Sequence, residues 1–109
     1  EVRDAETAEI ALRAVETGHW VMASVHAGSV LETVYRLASL LPPSYEALGR
    51  VTLQTRLRAV INQLLVPVRN GRQLSMEALF VDPHHEPLPW FEPDPKPGRF
   101  AGCTYFSRV

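Results

Sequence analysis

The dipeptide Asn70-Gly71 constrains this chain more than any other feature. It lies within Arg69-Asn70-Gly71-Arg72, between the runs Leu64 to Val68 and Gln73 to Val81. Asn and Gly both accept positive φ at the centre of a two-residue turn, so the sequence predicts a β-hairpin across these runs. Pro67 has no N–H to give to a ladder, which places the first arm at the edge of its sheet.

A second strand signal is Trp20-Val21-Met22-Ala23-Ser24-Val25, apolar without alternation and bounded by His19 and His26. Such a run suits a strand covered on both faces, as in a parallel sheet, with Trp20 in the core. Helical patterns flank it. Upstream, Asp4 can cap a helix and Glu6 suits the positive end of its dipole. Ala8, Ala11, Leu12 and Val15 then fall at i, i+3, i+4 and i+7, and Gly18 is a stop. Downstream, Gly28 ends the strand and Ser29 with Glu32 forms a capping box. Val30, Val34, Leu37, Ala38 and Leu41 line the face of that helix, which Pro42-Pro43 terminates. A third helix is expected from near Ser44, with Leu53, Leu57, Val60, Ile61 and Leu64 as its stripe and Gly49 as an early interruption. A parallel strand needs neighbours, and the only other strand signals belong to the hairpin. Together with Glu1 standing where an initiator Met would be, this reads as a piece of a longer protein with an incomplete sheet.

From Asp82 to Gly98 the composition shifts. Prolines at 83, 87, 89, 93, 95 and 97 alternate with acidic residues and Trp90-Phe91, the pattern of an extended segment that wraps a surface or stays mobile. Phe100 to Val109 is apolar enough to dock back. We therefore divide the chain into 1–81 and a Pro-rich extension, 82–109.

A net charge of −1 excludes a general nucleic-acid binder, which carries a strong basic excess. No stretch reaches ~18 apolar residues, and no charged segment followed by an apolar run opens the chain, so neither a membrane helix nor a signal peptide is encoded. The lone Cys103 has no internal disulfide partner and fits a reducing compartment. His84-His85 with Asp82 and Glu86 offers metal-type donors, but no second patterned cluster accompanies it.

Several strings together carry a family resemblance. Glu1-Val2-Arg3-Asp4 is followed by a helix beginning Asp4-Ala5-Glu6-Thr7, and Thr17-Gly18-His19 by Val25-His26. Arg58 to Pro67 and Met76-Glu77-Ala78-Leu79 close the series. This set resembles the Walker B ending and histidine box of the secretion ATPases that power type IV pilus retraction and type II and type IV secretion, including conjugation. Two departures stand out. Ala23-Ser24-Val25-His26-Ala27 replaces the family's frequent Ser-Thr-Leu-His-Thr, and the Pro-rich extension has no counterpart in the pattern.

The resemblance implies an α/β fragment of a P-loop (RecA-like) NTPase domain, with helices around a mostly parallel sheet plus the hairpin. It implies ATP and Mg as cofactors and a ring hexamer of the same chain. It also implies inner-membrane platform or secretion-machine proteins as partners, and a cytoplasmic location peripheral to the inner membrane, without direct nucleic-acid contact. Glu1 would be the Walker B carboxylate, serving the attacking water or a magnesium-bound water, with no side chain ligating metal directly. His26 would contact the γ-phosphate. His19, Arg3 and Arg36 would sense nucleotide or lie at a subunit interface; Arg36 also stands four residues after Glu32, the spacing of a solvated helical ion pair. His19 and His26, seven residues apart, would be about 23 Å apart on a straight strand at ~3.3 Å per residue, so they cannot share one metal. The single lysine, Lys96, lies in the extension, so no phosphate-loop lysine is present and the chain alone is expected not to turn over ATP. The rival reading is a non-catalytic adaptor that binds a partner through the Pro-aromatic segment.

Overall fold

The computed structural model describes residues 1–84, Leu88 and the backbone of residues 103–108. Three helices, α1 (Ala5–Glu16), α2 (Val30–Leu40) and α3 (Glu46–Arg56), precede three strands, β1 (Ala59–Val68), β2 (Gly71–Val81) and β3 (Cys103–Arg108). The strands form one antiparallel sheet in the order β1-β2-β3.

Local chemistry sets the helix ends. Asp4 caps α1 by accepting from the Thr7 amide at 2.8 Å, and Thr17-Gly18 closes it. Gly18 takes φ +89°, the Gly18 amide donates to Val15 O and the His19 amide to Ala14 O, which is a Schellman stop. Ser29 Oγ accepts from the Glu32 amide at 3.1 Å to cap α2. The other half of the expected box is displaced by one residue, because the Glu32 carboxylate accepts from the Gly28 amide at 2.7 Å.

The third helix is shorter than the sequence pattern predicts. α3 ends at Arg56, Leu57 turns extended with ψ 135°, and Val60, Ile61 and Leu64 lie in β1. Those positions fit both helical and strand periods, and the β-branched pair Val60-Ile61 favours the pleated backbone. The hairpin is therefore longer than expected, and its turn is shifted. Val68 pairs with Gly71, so Arg69-Asn70 is the two-residue loop, and only Gly71 has positive φ, at +135°. Pro67 lies in β1, the edge strand, as expected.

The run Trp20 to Val25 is not a strand. A strand in the middle of a parallel sheet needs ladders on both edges, whereas among the described residues this segment accepts one backbone bond from outside itself, Val2 N to Ser24 O at 2.9 Å. Trp20 is consequently 91% exposed and Met22 fully exposed, not core. The described sheet is antiparallel throughout, in place of the mostly parallel sheet expected. The backbone of the chain end does return to the body, with residues 103–108 adding to β2.

Two apolar clusters organise the molecule. Val30 and Val34 of α2 meet Val60, Leu79 and Val81 of the hairpin, together with Leu88, whose amide donates to Gln54 O at 3.0 Å. Val2, Ala8, Leu41 and Tyr45 form the second, with Leu12, Val25, Leu37 and Leu40 against them. Gly49 does not interrupt α3; it is buried so that α3 can approach its neighbours. A Cβ there would lie 2.5 Å from Leu41 Cδ1 and 3.1 Å from the Tyr45 ring. Beside this cluster Tyr45 and Thr52 both donate to Glu16 Oε1, and Arg13 lies 4.7 Å over the Tyr45 ring, tying α1 to α3. Those two hydrogen bonds hold the Glu16 carboxyl below its usual range. Burial and the adjacent Glu16 carboxylate push the Tyr45 hydroxyl up to about 12.

Gly49→Val is expected to lower stability by about 1–3 kcal/mol in denaturant unfolding through overcrowding. The Glu16 cluster makes stability pH-dependent at both ends. A depressed carboxyl contributes fully above its unfolded value and loses that contribution as pH falls through the folded one. The raised Tyr45 phenol contributes below its ordinary value and loses the contribution as pH rises towards about 12. Thermal melts of Glu16→Gln beside the parent chain should show a smaller loss of Tm on acidification below about pH 4.5, the usual carboxyl value.

Candidate functional site

Glu1 and His26 come together. His26 Nε2 lies 3.3 Å from Glu1 Oε1. The pair is open to solvent, with the His26 side chain 88% exposed and that of Glu1 41% exposed. An exposed ion pair holds little by itself. The backbone makes the meeting: Val2 is buried in the second cluster, its amide bonds to Ser24 O, and Val25 packs against the same cluster. Residues on either side of this seam, Glu1 and His26, are left facing one another. A carboxylate only accepts hydrogen bonds, so the contact is favourable when the proton sits on Nε2.

The segment after His26 is fixed from three elements. Asn62 of β1 donates through Nδ2 to Ala27 O at 2.7 Å, the Glu32 carboxylate of α2 accepts from Gly28 N, and Glu77 of β2 accepts through Oε2 from Val30 N at 2.6 Å. Asn62 and Glu77 are directly opposite in the β1–β2 ladder. Neither is a functional candidate in the sequence; Glu77 is a charged residue between the apolar Met76 and Ala78, and Asn62 stands beside the polar Gln63.

His19 is held elsewhere. Its Nδ1 lies 3.1 Å from Thr17 Oγ1 and 3.2 Å from Ala14 O, at the carboxyl end of α1, whereas His26 is paired with Glu1. The two histidines thus have separate partners. Arg3 is exposed beside Asp4, whose carboxyl it helps to lower after the larger effect of the Thr7 hydrogen bonds. Arg36 is exposed on α2. The Glu32–Arg36 ion pair is not formed, because the Glu32 carboxylate is turned to Gly28. Neither arginine is brought into the Glu1–His26 contact.

Among the described residues no group of three or more His, Cys, Asp or Glu side chains could hold a metal. His84 has its amide bonded to Asp82 Oδ1 at 2.7 Å, while His85, Glu86, Trp90 and Phe91 lie outside the described residues. No described helix is long and apolar enough to cross a membrane.

Comparison with known proteins fits these features. A family model, "Type II/IV secretion system protein", matches residues 1–88. The chain belongs to this family. A twitching motility protein of Neisseria gonorrhoeae is 39% identical over 85 residues, covering 76% of this chain and 23% of that protein. A type IV pilus retraction ATPase, PilT, of Pseudomonas aeruginosa is 33% identical over 81 residues, covering 74% of this chain and 24% of PilT. A crystal structure of the pilus retraction motor PilT with bound ADP superposes with a TM-score of 0.63 at 38% identity, covering 73% of this chain and 24% of that one. This secretion-family chain therefore spans about a quarter of the length of these two relatives. It has the mixed helix-and-strand architecture with a hairpin that the sequence predicts for such a member.

Proposed function

We propose that this chain is the C-terminal part of the catalytic domain of a P-loop ATPase that converts ATP hydrolysis into mechanical work for type IV pilus retraction, secretion or conjugative transfer. The observation that carries the reading is the 3.3 Å approach of His26 Nε2 to Glu1 Oε1 in a chain of the secretion family. Phosphoryl transfer asks little covalent chemistry of a protein and depends on alignment and charge. Glu1 orients the attacking water and accepts its hydrogen bond. His26 donates from Nε2 to an oxygen of the γ-phosphate, which then takes the place of the Glu1 carboxylate at that nitrogen. The exchange releases Glu1 for water, so arrival of the phosphate readies both groups.

Of these two side chains only Glu1 offers the hard oxygen donor that magnesium favours, and one carboxylate suits contact through a bound water. Bound there, the ion would neutralise phosphate charge. His19, at the end of α1, and the exposed Arg3 and Arg36 are left to a subunit boundary in a ring hexamer of this protein. On this reading the ring works at the cytoplasmic side of the inner membrane, against platform or secretion-machine proteins.

Full-length protein carrying this chain should hydrolyse ATP in a magnesium-dependent manner. Glu1→Gln and His26→Ala should each lower kcat by about two orders of magnitude or more, the scale of a lost positioning or charge-stabilising group. The 109-residue chain by itself should show no turnover. Turnover unaffected by either substitution would remove both residues from the site.

A further inference from the structure

The loop that leaves His26 is gripped at both ends by one cross-strand pair. Asn62 and Glu77 face each other in the ladder, and they reach the loop from adjacent strands with opposite hydrogen-bonding character. Asn62 Nδ2 donates to Ala27 O, the carbonyl immediately after His26, and Glu77 Oε2 accepts from Val30 N, the first residue of α2. Both bonds are half-buried, at 2.7 and 2.6 Å, and they join residues 35 and 47 positions apart. The Glu77 charge also lies at the positive end of the α2 dipole, where a carboxylate is favoured.

The arrangement on the far side of the loop explains why such a grip matters. His26 is exposed, and its own partner, Glu1, lies on a segment tied to residues 20–25 by the Val2 N to Ser24 O bond and by packing of Val2 and Val25 in one cluster. The position of the imidazole is therefore set from both sides, by the Val2 seam before it and by the backbone that follows it. That backbone is fixed to the hairpin by side chains rather than by a ladder, since residues 26–28 are in no sheet. Beyond the grip the hairpin runs on to an exposed turn at Arg69-Asn70.

We propose that Asn62 and Glu77 are positioning residues that couple the His26 loop to the β1–β2 hairpin, so that displacement of the hairpin moves the histidine and occupation of the histidine site moves the hairpin. The consequence for catalysis rests on the ATPase reading above; the mechanical coupling does not. Neither residue touches the reacting atoms. Each acts through the backbone of residues 27–30, and a donor at 62 facing an acceptor at 77 is what the coupling requires.

Amide hydrogen exchange and the His26 imidazole resonances of the 109-residue chain test this directly, with Tm measured alongside. Asn62→Asp preserves side-chain size but removes the donor, and Asn62→Ala removes it without adding charge. Both should shift the His26 resonances and speed exchange at Gly28 and Val30 by about tenfold or more. Glu77→Gln keeps an acceptor oxygen and should leave both near parent values, whereas Glu77→Leu should not. Parent-like His26 signals and exchange in a folded Asn62→Asp or Asn62→Ala chain would overturn the coupling, as would a Glu77→Gln chain perturbed as strongly as Glu77→Leu.

In the full-length protein, Asn62→Ala should lower kcat by about tenfold or more, with KM for ATP changed by less than about threefold, the pattern of a misplaced group. Unchanged kcat, where His26→Ala abolishes turnover, would overturn the catalytic consequence. If His26→Ala leaves turnover intact, the ATPase reading of His26 fails, and the exchange data alone decide the coupling.

Discussion

Val2 holds the site together. Its side chain is buried with Ala8, Leu41 and Tyr45, and its amide bonds to the carbonyl of Ser24. That one seam aligns the segment before α1 with the segment before α2, and it leaves Glu1 beside His26. The ion pair itself is too exposed to do this work, because charges in water attract weakly and holding two side chains in register costs entropy. Burial of one valine and one backbone bond thus determine where two chemically useful groups stand.

The helices and the hairpin carry the seam on separate supports. α1 is locked to α3 by hydrogen bonds to Glu16 and by the close approach at Gly49, so one end of the site rides on the helical layer. The other end rides on the sheet, through Asn62 and Glu77. A site suspended between two layers responds to their relative movement, and that suits a protein whose relatives include pilus motors.

Legibility in the sequence followed the range of each interaction. The Asp4 cap, the Gly18 stop and the Ser29 cap arise from contacts within a few residues and are readable, as is the existence of the hairpin, though its ladder reaches Ala59 and Phe80 and its turn is shifted by one residue. The stripe from Leu53 to Leu64 was misassigned because its spacing satisfies a helix until the backbone turns at Leu57. Trp20 to Val25 resembled a buried strand by composition, but burial depends on neighbours that composition does not supply. Glu1 and His26 were found through their family pattern rather than from spacing. Asn62 and Glu77 lie within strings that carry the resemblance, but their roles are not legible there because their partners are 35 and 47 residues away.

Whether Glu1 and His26 act as one unit is tested most directly by a double-mutant cycle on ATP turnover by the full-length protein. If one phosphate engages both groups, Glu1→Gln combined with His26→Ala should be scarcely slower than the slower single variant, as residues of one constellation behave. Losses in kcat that simply multiply would show two independent contributions and contradict the shared site.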